Sequence, residues 1–143
     1  MAEEKKTTSA ASPSTEAKSA PKKKSKKRKL VEGRVYINAT YNNTIITITE
    51  MTGSVVCWAS SGSCGFKGTR KATPYAASVA ADTAAGKAKA MGLEKIHIIT
   101  KGVGNGRDQA IRALNTAGFS IESISDTTAV PHNGCRPRKA RRI

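Results

Sequence analysis

The sequence predicts an α/β domain in which helices pack on a mixed β-sheet, and two observations support this. Residues 35–59 alternate apolar and polar side chains in three short runs, the pattern of half-buried strands. Residues 73–124 then read as helix, strand, helix and strand. A meander followed by strand–helix–strand units predicts a sheet that contains both antiparallel and parallel pairs.

The first three strands are predicted at residues 35–39, 44–49 and 55–59. Asn42 and Asn43 lie between the first two, and asparagine favours turns because it tolerates positive φ and bonds its own backbone. A second turn with Gly53 precedes the third strand. Short turns of this kind join neighbouring strands, so these three are expected to be antiparallel.

The first helix is predicted to begin at Thr73 and Pro74, a capping hydroxyl followed by proline at the first helical position. Small residues then recur at steps of three and four, which would let the helix approach a sheet closely. Residues 95–100 predict a strand, residues 107–117 a second helix ended by Gly118, and residues 119–124 the last strand.

Charge divides the chain into three parts. Residues 1–30 hold ten Lys/Arg against three Glu, residues 31–130 ten against seven acids, and residues 131–143 five against none, which accounts for the net +15. Residues 1–29 have no aliphatic side chain larger than alanine apart from Met1, and residues 1–30 are predicted to be a disordered basic extension. Residues 31–130 are predicted to be a globular α/β domain. The basic run at 22–29 fits an import signal, a nucleic-acid arm or a solvating tail.

The last thirteen residues form a predicted extended basic tail. Two prolines and Gly134 disfavour a helix or central strand, and full extension would reach about 43 Å. A cationic segment that cannot fold by itself is expected to bind a polyanion. Within it, the Asn133–Gly134 pair is also a candidate for isoaspartate formation, with an ordinary turn as the alternative.

Composition excludes several other classes. The three cysteines are odd in number and contain no CxxC pair, which argues against a disulfide framework and a zinc site and fits a reducing compartment. No apolar run approaches about 18 residues, so no membrane span or membrane partner is expected. The acids of the domain are scattered, which argues against a metal-dependent nuclease, and isolated His97 is expected to be structural.

Two loops are candidate phosphate sites. Residues 60–73 combine three glycines with Lys67, Arg70 and Lys71 and no acid, which suits RNA phosphates, whereas Phe66 is expected to lie in the core. Residues 101–107 place Gly102, Gly104 and Gly106 between a strand and a helix N-terminus. The spacing fits neither a dinucleotide site nor a Walker motif, so an RNA phosphate is the expected occupant, with a purely structural turn as the alternative.

Four ordered motifs carry a resemblance to a known family. They are residues 41–49 (YNNTIITIT), 65–74 (GFKGTRKATP), 111–119 (IRALNTAGF) and 131–136 (PHNGCR). They resemble the S-eleven family of small ribosomal subunit proteins, in its bacterial and organellar branch, over about residues 33–143. The family usually has proline where this chain has Val103 and Asn105, and its Gly-Gly-Ser-Gly-Phe becomes GSCGF at residues 62–66.

The resemblance implies a ribonuclease-H-like, three-layer α/β/α sandwich with a mixed five-stranded sheet, no active site and no cofactor. It implies binding of small-subunit ribosomal RNA on the platform, near the messenger RNA exit and Shine–Dalgarno region, in support of subunit assembly and translation. The sixth, eighteenth and, where present, twenty-first small-subunit proteins are implied neighbours, and messenger RNA is a candidate partner. The location implied is a ribosome, in a bacterial cytoplasm rather than an organelle.

The residues implied to contact RNA lie in two turns, one loop and the tail: Asn42, Asn43, Lys67, Arg70, Lys71, Lys101, Arg107, His132, Asn133, Arg136, Arg138, Lys139, Arg141 and Arg142. A general nucleic-acid chaperone with two cationic arms is the alternative function. It would bind any duplex or single strand alike, whereas the ribosomal function predicts a preference for a folded platform RNA.

Overall fold

A computed structural model of the protein describes residues 30–136 and 138–139. Residues 1–29 of the predicted extension, its basic run, Arg141 and Arg142 therefore lie outside the described residues. Leu30, the last residue of that extension, is described and packs against the core. The elements are β1 (Glu32–Ala39), β2 (Thr44–Glu50), β3 (Val55–Ser60), a short 3-10 helix (Gly68–Ala72), α1 (Pro74–Lys89), β4 (Lys95–Lys101), α2 (Arg107–Thr116) and β5 (Ser120–Asp126).

The five strands form one sheet in the order β3-β2-β1-β4-β5. Strand β2 is antiparallel to both β1 and β3, whereas β4 is parallel to both β1 and β5. The antiparallel pairs are the meander predicted from period-two alternation. Helix α1 then connects β3 to β4, which lies beside β1, and α2 connects β4 to its parallel neighbour β5. The predicted mixed five-stranded sheet of an α/β sandwich is confirmed.

The core lies between this sheet and the two helices. Alternate residues of the strands, among them Ile37, Ile46, Ile48 and Ile98, are at most 1% exposed and form one cluster with buried residues of α1 and α2. The residues that α1 buries are all alanines: Ala76, Ala77, Ala80, Ala81, Ala84, Ala85 and Ala88. Side chains this small let the helix lie close to the sheet and still exclude water.

Both helices lie on the same face of the sheet. Helix α1 contacts β2, β3 and α2, while α2 also contacts β1, and the buried residues of both helices belong to one core. Since β3, β4 and β5 run parallel, two crossovers of the usual right hand place both helices on one side. In the described parts of the chain, therefore, the helical layer covers one face, and the other face carries no helix. Neither helix in those parts is long and apolar enough to cross a membrane.

Candidate RNA interface

Three loops meet at one edge of the sheet, where the parallel strands β1, β3, β4 and β5 end. They are the β1–β2 turn (residues 40–43), the loop after β3 (residues 61–73) and the glycine loop after β4 (residues 102–106). We call these three segments, together with the flanking residues Tyr75, Lys101 and Arg107, the loop edge. In open α/β sheets, ligands bind outside the carboxyl ends of the strands. The topology thus gathers most of the RNA-contacting residues predicted in the domain along one edge.

The β1–β2 turn is held by hydrogen bonds between Thr40 and Asn43. The Thr40 amide and hydroxyl donate to the Asn43 carbonyl at 2.9 and 3.0 Å, and the Asn43 amide donates to the Thr40 hydroxyl at 3.1 Å. Asn43 is half-buried, whereas Asn42 is exposed. Asn43 therefore shapes the turn, and Asn42 is the side chain that the turn presents to solvent.

The loop after β3 presents the predicted cations. Lys67 and Arg70 are exposed, and Lys71 is half-buried. The Thr73 amide and hydroxyl both donate to the Arg70 carbonyl, and the Thr73 hydroxyl caps α1 by accepting from the Ala76 amide. Lys67, Arg70 and Lys71 form no ion pair with any described carboxylate. Their charges are fixed near the helix start and are available to an anion.

Phe66 is not a core residue, contrary to expectation. Its ring is half-buried and meets Tyr75 edge to face, with the centroids 6.0 Å apart and the planes at 86°. It lies outside the core cluster because the glycine-rich segment keeps it on the surface beside the first turn of α1. Tyr75 is 69% exposed, so this aromatic pair forms part of the loop edge.

The glycine loop is explained by close packing against the protein. A Cβ at Gly102 would overlap the Ala39 carbonyl, and a Cβ at Gly104 would overlap that of Thr40. The Gly104 amide donates to the Ala39 carbonyl at 2.9 Å, and the Gly102 amide donates to the Thr128 hydroxyl at 3.0 Å. Two amides that could have bound a phosphate are thus already used. The structure favours a packing role for these glycines over a phosphate cradle.

Arg107 also has partners within the protein. Its guanidinium lies 2.8 Å from a carboxylate oxygen of Asp126 and 3.6 Å from one of Asp108. Hydrogen bonds from the Thr128 hydroxyl and amide, together with Arg107, hold the pKa of Asp126 below its ordinary value. The sequence did not reveal this pairing, since Asp126 lies nineteen residues beyond Arg107. Arg107 has less free charge for RNA than the other predicted cations.

Strand β4 ends at the loop edge in an exposed lysine, Lys101. It forms no ion pair with a described carboxylate. At the other end of the same strand, Lys95 lies 3.1 Å from a carboxylate oxygen of Glu122, and the hydrogen bond and charge of Glu122 raise the pKa of Lys95. Unpaired cations therefore occur at one end of β4 and paired ones at the other.

The tail leaves the body at the loop edge. The Thr127 amide and hydroxyl donate to the Thr100 carbonyl at 2.9 and 3.1 Å, which fixes the start of the segment after β5. Beyond it, His132, Asn133, Arg136, Arg138 and Lys139 are all exposed, and Asn133 has a positive φ of 56°. The described tail from 131 onward makes no hydrogen bond or ion pair with the body.

His97 lies outside this edge and connects three strands. Its Nδ1 is 2.8 Å from the Ser123 hydroxyl, and its Nε2 is 2.9 Å from a Glu32 carboxylate oxygen. Sequence spacing could not reveal these partners, because Glu32 is 65 residues away. In a hydrolase triad the serine bonds Nε2 and the carboxylate bonds Nδ1, and here the two contacts are reversed. The three groups tie β1, β4 and β5 together.

The three thiols are separate from one another. Cys57 is buried, Cys64 is half-buried and Cys135 is exposed. Burial raises the pKa of the Cys57 thiol, and the nearby Lys87 opposes that shift. Within the described residues, no group of three or more His, Cys, Asp or Glu side chains is arranged to hold a metal ion.

Exposed cations without a described carboxylate partner, gathered at one sheet edge beside a basic tail, are typical of a nucleic-acid-binding protein. The family model described as Ribosomal protein S11 matches residues 33–142. The small ribosomal subunit protein uS11 of Thermus thermophilus is 55% identical over 119 residues, covering 83% of this chain and 92% of the relative. That of Treponema pallidum is 53% identical over 122 residues, covering 85% and 97%.

The chain therefore belongs to the ribosomal protein S11 family, a family of structural ribosomal proteins and not of enzymes. This confirms the resemblance read from the four sequence motifs. The match spans the described domain and continues into the tail, so the loop edge and the tail both fall within the region that defines the family.

Proposed function

We propose that the protein is a structural component of the small ribosomal subunit that binds small-subunit ribosomal RNA at the platform, near the messenger RNA exit and Shine–Dalgarno region. One observation carries the proposal. At the loop edge, Lys67, Arg70 and Lys101 are exposed and have no carboxylate partner among the described residues. Cations in this state bind the phosphates of a nucleic-acid backbone and fix the orientation of the protein on it.

The tail adds a second contact from the same edge. Its described cations, Arg136, Arg138 and Lys139, are exposed, and the sequence adds Arg141 and Arg142 beyond them. Because β5 and Thr127 fix where the tail begins, the folded body determines which part of the RNA the tail can reach. In this division of roles the body supplies orientation, and the tail supplies much of the charge.

The finer assignments follow from family membership. The neighbours proposed are the sixth, eighteenth and, where present, twenty-first small-subunit proteins, with messenger RNA as a further partner. The proposed role is support of subunit assembly and translation in the ribosomes of a bacterial cytoplasm. The described structure contributes the exposed edge to this proposal, and the partners themselves come from the family.

Sedimentation tests the proposal. The full chain is incubated with small subunits lacking their own copy, washed at high salt and centrifuged, with large subunits as the matched control. We expect co-sedimentation with small subunits alone, and displacement by a folded platform RNA but not by an equal mass of unrelated duplex. Equal retention by both subunits, or equal displacement by both competitors, would instead support the general nucleic-acid chaperone.

A further inference from the structure

The face of the sheet opposite the helices presents two aromatic side chains to solvent. Tyr36 on β1 is 36% exposed and Trp58 on β3 is 55% exposed. The strand register aligns Trp58, Thr47, Tyr36, Ile99 and Ser125 in one row across all five strands. Strands lie about 4.8 Å apart, so the two aromatic side chains are separated by roughly 10 Å. We call this side of the sheet, which includes Arg34, Tyr36, Trp58, Ile99 and Lys101, the open face.

Cations border this aromatic row on both sides. Asn38 and Lys101 are cross-strand neighbours in the next row toward the loop edge, and Arg34 lies one row in the other direction. Neither Lys101 nor Arg34 forms an ion pair within the described residues. The nearby carboxylates, Glu32 and Glu122, are instead engaged by His97 and Lys95. The aromatic surface is therefore bordered by positive charge that no described carboxylate neutralises.

The open face is continuous with the loop edge. Tyr36 pairs with Ile99 in the register, and Lys101 lies two residues further along β4 on the same side. Strand spacing and rise together put the Lys101 position about 8 Å from that of Tyr36. A phosphate bound by Lys101 would thus be close enough for a neighbouring base to reach the Tyr36 ring.

We propose that the open face binds a single-stranded RNA segment whose bases stack on Tyr36 and Trp58. This inference deepens the proposed function and rests on it, since the RNA strand would reach the open face from the loop edge. Aromatic side chains displayed on a sheet stack unpaired bases, and adjacent cations bind the phosphates between them. Duplex RNA keeps its bases stacked inside the helix and cannot use these rings in that way.

The alternative occupant, another protein, suits the charges less well. Ile45 and Ile99 would pack against an apolar partner, but Arg34 and Lys101 would then lie beneath it. A buried cation without a partner is costly. An RNA strand supplies a phosphate for each cation and a base for each ring. The combination of both kinds of side chain in adjacent rows favours RNA.

Trp58 is the only tryptophan of the chain, so its fluorescence reports on this face alone. The full chain is titrated with a labelled, unstructured single-stranded RNA of about eight nucleotides, a length typical of such sites. Tryptophan emission and RNA anisotropy are recorded together, and a duplex of equal length serves as the second ligand. We expect Trp58 emission to fall over the same concentrations at which the single-strand anisotropy rises.

Variants separate stacking from charge. Trp58→Leu and Tyr36→Leu should each weaken single-strand binding by at least about fivefold while leaving duplex affinity nearly unchanged. Trp58→Phe keeps an aromatic ring and should retain most of the affinity. Val55→Ala removes part of an exposed apolar side chain on the same strand and should change neither affinity. Circular dichroism and thermal melting verify that each variant is folded.

Each outcome is decisive. If the single-stranded RNA binds but Trp58 emission and the affinity of Trp58→Leu stay unchanged, the inference is wrong. RNA binding would then be assigned to the loop edge alone, and a protein would become the favoured occupant of the open face. If neither RNA binds the unaltered chain at low salt, the proposed function and this inference fail together. If the duplex lowers Trp58 emission as much as the single-stranded RNA does, the inference that unpaired bases stack on Trp58 would also be wrong.

Discussion

Lys95 and Lys101 stand at opposite ends of β4, on the same face of the sheet and six residues apart. Lys95 pairs with Glu122 at 3.1 Å, whereas Lys101 has no carboxylate partner in the described structure. A similar contrast extends across the sheet, because the Glu32 carboxylate is hydrogen-bonded to His97, while Lys67 and Arg70 form no ion pair with a described carboxylate. Along β4, therefore, the lysine at one end is paired within the protein, and the lysine at the other end is available to a ligand.

The contrast matters because formal charge alone is a poor guide to binding. A cation that already holds a carboxylate gains little from a phosphate, since it must first exchange one anion for another. The net charge of +15 is therefore less informative than the positions of the cations that lack partners. Among the described residues, such cations are concentrated at the loop edge and in the tail, whereas Arg34, Lys87, Lys89 and Arg112 are spread over the open face and the helices.

The largest expected effect comes from removing the tail. Deletion of residues 131–143 removes five cations. The three that the structure describes, Arg136, Arg138 and Lys139, have no carboxylate partner in the body. Each lost phosphate contact should flatten the plot of log K against log salt by roughly 0.7–0.9, so the slope should fall by several units. Titrations of RNA at several salt concentrations measure it. The melting temperature should not change, and an unchanged slope would remove the tail from the interface.

The loop after β3 should give the next largest effect. Replacing Lys67, Arg70 and Lys71 together by alanine should reduce the slope by about 2–3 units, because three unpaired cations are lost. A matched triple variant at Lys87, Lys89 and Arg112, which lie on the helices, should leave the slope almost unchanged. Similar losses in both variants would mean that the RNA responds to overall charge and not to this edge.

Arg107 tests whether a cation at the loop edge contributes less to RNA binding when it already has a carboxylate partner. It sits at the loop edge but pairs with Asp126. Arg107→Ala should weaken RNA binding by less than the replacement of a single unpaired loop cation by alanine, and it should leave the protein folded. Asp126→Asn releases Arg107 and should strengthen binding slightly. A sharp fall in melting temperature for Arg107→Ala would make Arg107 a structural residue.

The same pair predicts a pH dependence. Thr128 and Arg107 lower the pKa of folded Asp126 below the ordinary value of 3.8. A carboxyl whose pKa is lower when folded stabilises the protein above its unfolded pKa, and this contribution is lost as the pH falls through the folded pKa. Unfolding of the unaltered chain should thus depend more steeply on pH below about 4 than that of Asp126→Asn. Parallel pH profiles would contradict this.

The sequence predicted much of the fold because strand alternation, the Thr73–Pro74 cap and the closing glycines are local signals. The domain limits and the RNA contacts of individual residues stay predictions. Other features depend on chain segments far apart: the Arg107–Asp126 pair, the His97 bridge and the packing of Gly104 on Thr40. No local pattern encodes such contacts. The aromatic row on the open face was missed for the same reason, since it exists only once the register is known.

The most direct test compares the two lysines of β4. Lys101→Ala and Lys95→Ala remove the same charge from the same strand, and the salt dependence of RNA binding is measured for both. Lys101→Ala should flatten the slope by about 0.7–0.9, the value of one phosphate contact, whereas Lys95→Ala should leave it unchanged. Equal changes in the two variants, or a change only in Lys95→Ala, would contradict the assignment of RNA binding to the loop edge.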